Sequence, residues 1–272
     1  MSPPLVLKFG GTSLASPARA RLAAQRVERH VAQGRRVAVV VSAPGRTTDL
    51  VLRWLGELEE KDTGEEVAVR SVERERERDR AVARGEDLSA ACLSFALASR
   101  GIAARSFTGP EAGIQVSRDH GNSQIAGIRA EQLLELLEGG TIPVVSGFQG
   151  EGAGGETVLL SRGGSDITAV ALAATLGAEC HLVTDVAGVY DADPRTTPGA
   201  RLLPHLSHHA LVRLAESGAR VVHPEAARLA RRDRVPLWIY HFQDGLLDPG
   251  ARAPEGSRVQ APEAAALAGG LP

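Results

Sequence analysis

Cysteine, lysine and aromatic residues are scarce in this chain, and it has no long apolar run. Its two cysteines, Cys92 and Cys180, lie far apart and form no CxxC pair, so neither a disulfide framework nor a zinc site is supported. This usage fits a reduced, cytoplasmic setting. No apolar run approaches the roughly 18 residues that suggest a membrane span. The N-terminus carries no basic segment or cleavage site of a signal peptide, so we expect no membrane partner.

The charge balance excludes another class of partner. Lysine and arginine total 31 against 33 acidic residues, a net charge of −2, which gives no electrostatic case for binding nucleic acid. Only two lysines occur, Lys8 and Lys61, so a lysine within a motif is informative. The 272 residues, 43% of them hydrophobic, suffice for one large α/β domain or two closely joined lobes.

Buried strands and helices alternate along the chain. Apolar runs predict strands, and longer segments with helix start and stop signals predict helices. The strand–helix–strand order, with right-handed crossovers, indicates a layered α/β fold around a mainly parallel sheet. The predicted strands are residues 5–9, 37–41, 142–146, 180–184 and 235–240, and the predicted helices are residues 17–33, 87–99, 129–137, 165–176, 208–217 and 224–232.

Two segments stand apart from this alternation. Residues 70–84 carry charges of nearly alternating sign, whose favourable and unfavourable pairs largely cancel on a helix. We predict a solvated helix that projects from the body. The residues from Asp248 onward are rich in Ala, Pro and Gly, and we expect a poorly ordered tail apart from a short strand near residues 257–260.

Two further patterns are set aside. Residues 150–155 match GxGxxG, but a strand rather than a helix follows, so we predict a flexible hairpin loop and no dinucleotide site. His205, His208 and His209 surround a predicted helix start. Without a carboxylate or cysteine at ligand spacing, surface histidines are favoured there over a metal site.

Three motifs lie at predicted strand ends. KFGGTS at residues 8–13 joins a lysine to a double glycine, which lets the backbone approach an anion closely. SRGGSD at residues 161–166 opens a helix that Ser165 or Asp166 can cap and whose free N–H groups attract anions. A turn-rich loop follows the strand that ends at Thr184. Their shared place at the carboxyl edge of the sheet favours phosphate or nucleotide chemistry.

Together these motifs resemble those of the aspartate kinases, a branch of the amino acid kinase family. The likeness covers roughly residues 4–242, and also includes Gly85 and Glu86 before Leu88, GFQG at residues 147–150 and GARVVHP at residues 218–224. Arg220 and Ser161 depart from the family, which has lysine and glycine there. The resemblance implies a three-layer α/β/α sandwich and a kinase domain over residues 1–247, without the regulatory ACT domains of most aspartate kinases.

The resemblance also implies which residues act. The amino-terminal half would bind the substrate, and the residues in contact with L-aspartate would be Thr48, Glu86, Arg162, Gly163, Gly164 and Ser165. In the carboxyl-terminal half, ATP would be bound together with Lys8, Gly10 and Gly11 by Thr184, Asp185, Tyr190, Asp193, Arg195 and Arg220. Lys8 would stabilise the migrating phosphoryl group with Mg²⁺, which is held mainly by ATP without direct protein ligands, and Asp166 would orient Lys8.

The reaction implied is ATP-dependent formation of 4-phospho-L-aspartate in a homodimer. Two alternatives stay open. One is a kinase of another amino acid or small carboxylate on the same fold, and the other is a catalytically weak regulatory subunit of an aspartate kinase.

Overall fold

The structure is a computed structural model that describes residues 3–59, 67–119, 122–161, 163–192, 194, 196–218, 221–243 and 255–260. All the predicted strands and helices are present, but they do not alternate strictly. The strands are β1 (Leu5–Phe9), β2 (Val37–Val41), β3 (Ala104–Phe107), β4 (Ile114–Asp119), β5 (Asn122–Ile128), β6 (Ile142–Ser146), β7 (Gln149–Glu151), β8 (Thr157–Leu159), β9 (Glu179–Thr184), β10 (His205–Ser207), β11 (Leu237–His241) and β12 (Gly256–Gln260). The helices are α1 (Pro17–Ala32), α2 (Thr47–Leu58), α3 (Val67–Ala98), α4 (Glu131–Glu138), α5 (Gly164–Leu176), α6 (His208–Glu216) and α7 (Pro224–Asp233). The alternation is interrupted by consecutive strands, such as β3 to β5 and β6 to β8, and by the helix pairs α2–α3 and α6–α7.

An eight-stranded sheet forms the centre of the molecule, in the order β10-β12-β11-β9-β1-β2-β6-β3. The six strands from β11 to β3 run parallel to one another, and β12 pairs antiparallel to β11. In β1 and β2 almost every residue is buried, because a parallel sheet is covered on both faces.

Two apolar clusters cover the two faces of this sheet. Leu5, Leu7 and Phe9 of β1 belong to the cluster that includes α1 and α3, whereas Val6 belongs to the cluster that includes α5 and α7. Side chains alternate between faces along a strand, so Lys8 lies on the same side as Val6, towards α5. The three-layer α/β/α sandwich is confirmed.

A second sheet, in the order β5-β4-β7-β8, lies beside the amino-terminal half. Strands β7 and β8 form an antiparallel hairpin across the glycine-rich residues 152–155, so the hairpin interpretation of the GxGxxG match is confirmed.

The charged segment 70–84 is helical and its residues 72–78 are exposed, so the predicted solvated helix is confirmed, but it does not project from the body as a separate element. It is part of α3, which continues without a break through the helix predicted at residues 87–99. Arg76 and Glu77 are about half exposed, as expected, but Val82 and Ala83 are buried, and Asp79 accepts a hydrogen bond from the Leu159 amide at 3.2 Å. The apolar residues at the end of the segment anchor it to the body.

Two further expectations are corrected. The strand near residues 257–260 is confirmed as β12, but it is inserted between β10 and β11, so the main sheet extends past the boundary expected at residue 247. His208 is buried rather than at the surface, and its Nε2 donates to the Val235 carbonyl at 2.7 Å. Within the described part of the chain, no helix combines the length and apolar character needed to cross a membrane.

Candidate functional site

Lys8 and Asp166 form an ion pair at the carboxyl edge of the main sheet. The distance from Lys8 Nζ to Asp166 Oδ1 is 2.7 Å, and the two side chains are 14% and 17% exposed. Lys8 comes from the central strand β1, next to Leu182 of β9 and Val40 of β2, and Asp166 comes from the first turn of α5. A cation held this way points a fixed charge at the strand ends, where open α/β folds bind ligands.

The double glycine after β1 allows two loops to approach each other closely. A Cβ atom at Gly11 would lie 2.5 Å from the Ala43 carbonyl oxygen, and a Cβ at Gly10 would lie 3.6 Å from Lys8 Nζ. The Gly45 amide donates to the Gly11 carbonyl at 2.9 Å. Glycine at residue 11 is therefore required for the loop after β1 to pack on the loop after β2.

Glu86 reaches the same loop from the opposite face of the sheet. It is 3% exposed on α3, and its Oε1 accepts the Ala43 amide at 3.1 Å. Its Oε2 is buried and has no hydrogen-bond partner. Burial raises the pKa of Glu86 to about 7, against the opposing effect of the Ala43 amide. A buried carboxylate oxygen without a partner is suited to receive a ligand cation.

The start of α5 is shaped by glycine contacts rather than by side-chain caps, so the expectation that Ser165 or Asp166 caps this helix is wrong. Gly163 is the N-cap, with φ +79°, and a Cβ there would lie 2.2 Å from Cγ of the His223 ring. A Cβ at Gly164 would lie 2.4 Å from the ring of Phe148. Because neither side chain caps the helix, Asp166 is available to pair with Lys8, and Ser165, which is 9% exposed, packs against Gly147.

The residues expected to bind ATP begin at the end of β9, the neighbour of β1. Thr184 Oγ1 donates to Asp185 Oδ1 at 3.2 Å, and the side chain of Asp185 is exposed. Tyr190 forms an isolated antiparallel bridge with Leu202. A cavity of about 340 Å³ opens beside Asp166, and it is lined also by Gly163, Ala215, Gly218, Val221, Val222, His223 and Pro224.

The remaining candidates fall into two groups. Thr48 lies in the first turn of α2 and is half-buried. Its neighbour Thr47 donates to the Pro44 carbonyl at 2.7 Å, and its methyl group would contact a Cβ at Gly85. The structure therefore brings the α2 start to the Glu86 segment.

Four candidates lie outside the described residues, namely Arg162, Asp193, Arg195 and Arg220.

A polar network beside Glu86 was missed by the sequence analysis. Asp87 Oδ1 accepts from Ser146 Oγ at 2.8 Å and from Gln149 Nε2 at 3.0 Å. A serine ending an otherwise apolar strand and a glutamine three residues later were the available signals, because polar side chains in buried positions need partners.

Comparison with known proteins places this geometry in a family. A model described as the amino acid kinase family matches residues 3–241. The aspartokinase of Geobacillus stearothermophilus is 41% identical over 236 residues, which are 86% of this chain and 55% of that protein. That of Helicobacter pylori (strain J99) is 38% identical over 268 residues, 97% of this chain and 64% of that protein. This chain thus spans between half and two thirds of the length of these curated relatives.

Solved structures give the same result. An aspartate kinase from Synechocystis has a TM-score of 0.77 and 34% identity, covering 95% of this chain and 40% of that one. The E. coli aspartokinase III, in complex with aspartate and ADP, has a TM-score of 0.76 and 26% identity, covering 95% of this chain and 64% of that one.

Proposed function

Because this chain belongs to the amino acid kinase family, we propose that it transfers the γ-phosphoryl group of ATP to the side-chain carboxylate of L-aspartate. The product would be 4-phospho-L-aspartate. The E. coli relative binds aspartate and ADP in its structure, and the Geobacillus and Helicobacter relatives are aspartokinases.

One observation carries the proposal. The loop after β2 contacts the end of β1, which carries the ion-paired Lys8, and it also binds the buried Glu86, whose Oε2 has no hydrogen-bond partner. Gly11 packs on the Ala43 carbonyl, and the Ala43 amide binds Glu86, so this loop joins the end of β1, with Lys8, to α3. Glu86 Oε2 would receive the α-ammonium group of the substrate as a charge-assisted hydrogen bond. Lys8 would face the substrate's other end, where the phosphoryl group arrives.

The chemistry requires neutralisation of charge more than proton transfer. A carboxylate is already ionised at neutral pH, so the attacking oxygen needs no general base. Two anions must instead be brought together, and the charge on the three oxygens of the migrating group must be stabilised. Lys8 would supply the positive charge, Asp166 would hold its ammonium group in place, and the amides near Gly10 and Gly11 would donate hydrogen bonds.

The nucleotide would bind at the carboxyl edge of the main sheet, between the start of α5 and the end of β9. We assign the phosphates to the space beside Asp166 and His223, and the rest of the nucleotide to the segment from Thr184 to Tyr190. Arg162, as the partner of the substrate α-carboxylate, and Asp193, Arg195 and Arg220, as nucleotide ligands, stay predictions.

The residues present fit a Mg²⁺ ion that is held mainly by the phosphates of ATP. The carboxylates of Asp166 and Asp185 already bond to Lys8 and Thr184. Mg²⁺ takes most of its ligands from water and substrate phosphates in sites of this kind. When bound, it would neutralise part of the phosphate charge.

The proposal is tested by an ADP-release assay with a panel of carboxylic acids, namely L-aspartate, L-glutamate, N-acetyl-L-aspartate, N-acetyl-L-glutamate and succinate. Hydroxylamine added to the reaction would trap the acyl phosphate. We expect a hydroxamate with L-aspartate and a very poor rate with N-acetyl-L-aspartate, because its amide would leave Glu86 facing a neutral group. A mock purification from cells that carry the empty expression vector serves as the blank for contaminating kinases.

Two results would replace the proposal. A clear preference for an N-acylated or non-amino acid would assign the chain to another carboxylate kinase of this fold. No ADP release above the blank with any acid, although ATP binds, would favour a catalytically weak regulatory subunit.

We further propose a homodimer in the cytoplasm. Six of the seven large hydrophobic side chains that are exposed among the described residues lie on α2 and α3, and clustered exposed hydrophobics mark interaction surfaces. An apolar groove of about 830 Å³ runs between α3 and the start of α1. Cys92 and Cys180 are both free thiols, as a reducing compartment requires.

A further inference from the structure

Asp87 follows Glu86 on α3, and its hydrogen bonds serve no role assigned so far. Its Oδ1 accepts from Ser146 Oγ at 2.8 Å and from Gln149 Nε2 at 3.0 Å, and its Oδ2 accepts from Arg84 Nη1 at 3.1 Å. The Asp87 side chain is 18% exposed, whereas that of Arg84 is 62% exposed. The two bonds to Oδ1 join α3 to both ends of the turn between β6 and β7.

That turn is strained. Phe148 has φ +67°, a region that a bulky non-glycine residue rarely adopts and that costs of the order of 1–3 kcal/mol. Its backbone is held by the Thr168 hydroxyl, which accepts the Phe148 amide at 3.2 Å, and by the Leu160 amide, which donates to the Phe148 carbonyl at 2.9 Å. A strained residue persists only where its surroundings fix it.

The same turn packs against the start of α5, where Gly163, Gly164 and Ser165 are proposed to bind the substrate. A Cβ atom at Gly147 would lie 2.9 Å from Cβ of Ser165, so the two backbones are in close contact. The Phe148 ring occupies the space that a Cβ at Gly164 would need. A shift of the turn by a fraction of an ångström would therefore move the start of α5.

The flanking side chains make Asp87 necessary. Ser146 and Gln149 are fully buried, at 0% and 1% exposed. Gln149 Nε2 also donates to the Ala83 carbonyl at 3.2 Å, while its Oε1 has no partner. Buried polar groups are costly unless they are hydrogen-bonded, so removing Asp87 leaves the Ser146 hydroxyl without an acceptor and half of the Gln149 donors unused.

Asp87 also acts on Glu86 through its charge. Burial is the main cause of the high pKa of Glu86, and the negative charge of Asp87 raises it further. On the neighbouring elements, Arg46 and Asp49 at the α2 start pair with each other, and β2 and β6 carry no charged residue. Lys8 is paired with Asp166.

We propose that Asp87 is a positioning residue for aspartate binding, which fixes the turn at residues 146–149 against the start of α5 at residues 163–165. This rests on the proposed function, and it adds a residue that touches neither substrate in that mechanism.

Two substitutions separate the hydrogen bonds from the charge. Asp87→Ala removes both, whereas Asp87→Asn keeps an oxygen that accepts from Ser146 and Gln149 but has no charge. For Asp87→Ala we expect the KM for aspartate to rise about tenfold or more, with the KM for ATP within twofold of wild type. For Asp87→Asn we expect a KM for aspartate within twofold at pH 8. Glu77→Ala, an exposed acid on the same helix, is the matched control and should change neither constant.

The effect of the Asp87 charge is measured separately, from the pH dependence of the KM for aspartate. Without the negative charge of Asp87, Glu86 ionises at lower pH, so acidification should raise the KM for aspartate at a lower pH in Asp87→Asn than in wild type. A merely structural role would leave this profile unmoved.

Hydrogen exchange at the Gly147 and Phe148 amides measures the turn without any substrate, so it decides the positional role even if aspartate proves not to be the substrate. Faster exchange confined to these amides in Asp87→Ala, and wild-type exchange in Asp87→Asn, is the expected result. The proposal is overturned if exchange at the turn is unchanged in Asp87→Ala, if the two variants behave alike, or if exchange accelerates throughout the molecule.

Discussion

Lys8 and Glu86 are both largely buried ionisable residues, but only Lys8 has a partner of opposite charge. Lys8 has a carboxylate partner at 2.7 Å, whereas one oxygen of Glu86 has none. An uncompensated buried charge costs free energy in the empty protein, and a ligand ammonium group would recover it. Glu86 is therefore a stability cost that aspartate binding would relieve.

Lys8→Ala should reduce turnover by roughly a thousandfold, the scale seen when one contact to transition-state charge is lost. ATP should still bind, because the other nucleotide contacts remain. Single-turnover rates and calorimetric ATP binding check this, with Lys61→Ala, the other lysine of the sequence, as the control. Turnover within tenfold of wild type would remove Lys8 from the mechanism.

Glu86→Gln should stabilise the empty protein at alkaline pH while weakening aspartate binding. The pKa of Glu86 is raised to about 7 in the folded protein from an ordinary value near 4.5, so wild type loses stability as pH rises between these values. Glutamine cannot ionise, and the variant should be about 3 kcal/mol more stable than wild type at pH 8, with little difference near pH 4. Urea unfolding at both pH values measures this. Equal stability at pH 8 would contradict a buried, ionised Glu86, and Glu77→Gln is the control.

At the scale of elements, β12, the last described strand of the chain, is hydrogen-bonded to the loop that follows β9, where we propose that the nucleotide binds. Ser257, which is fully buried, accepts the Val189 amide at 2.8 Å and donates to the Leu203 carbonyl at 2.6 Å. Val189 lies beside Tyr190, whose bridge to Leu202 closes the loop after β9. The order of this loop thus depends on a serine far along the sequence.

Ser257→Ala should lower the free energy of unfolding by about 1–3 kcal/mol, because it leaves the buried Val189 amide and the partly buried Leu203 carbonyl without the Ser257 hydroxyl. The KM for ATP should also rise, since the loop after β9 loses an anchor. Thermal unfolding and ATP titration check both effects. Gln260→Ala, at the exposed end of the same strand, should change neither, and an unchanged unfolding free energy for Ser257→Ala would exclude the anchoring role.

At the scale of the whole molecule, the two faces of the sheet differ in what covers them. One face is packed by α5 and α7, while on the other side of the sheet the outer surfaces of α2 and α3 expose Trp54, Leu88 and Phe95 at 57%, 54% and 76%. Exposed aromatic and aliphatic side chains of this size favour a partner surface.

Phe95→Asp should convert the proposed dimer to a monomer, because it introduces a charge into an apolar interface. Sedimentation velocity of wild type and variant measures the change. Val31→Asp, an exposed apolar position on α1 outside the α2–α3 cluster, is the matched control and should remain a dimer. A wild type that sediments as a monomer at micromolar concentration would overturn the homodimer.

The sequence alone determined the fold class and located the glycine-rich motifs at the strand ends. A continuous apolar run rich in β-branched residues, such as Val37–Val41, is typical of a sheet covered on both faces, and the double glycine that follows Lys8 and Phe9 allows a close backbone approach. Both are local properties, readable without knowing what packs where. For the same reason the hairpin after Gln149 and the helix start after Gly163 could be located, although not the residue that caps α5.

Only the tertiary structure decided the partners of the polar side chains. Val82 and Ala83 bury the end of segment 70–84 against the body. The insertion of β12 next to β11 and the bonds of Asp87 to Ser146 and Gln149 join residues at least 16 positions apart. Such contacts arise because a buried donor or acceptor must find a partner wherever the fold brings one. Sequence pattern marks the residue that needs a partner, and the packing of α3 on the sheet supplies it.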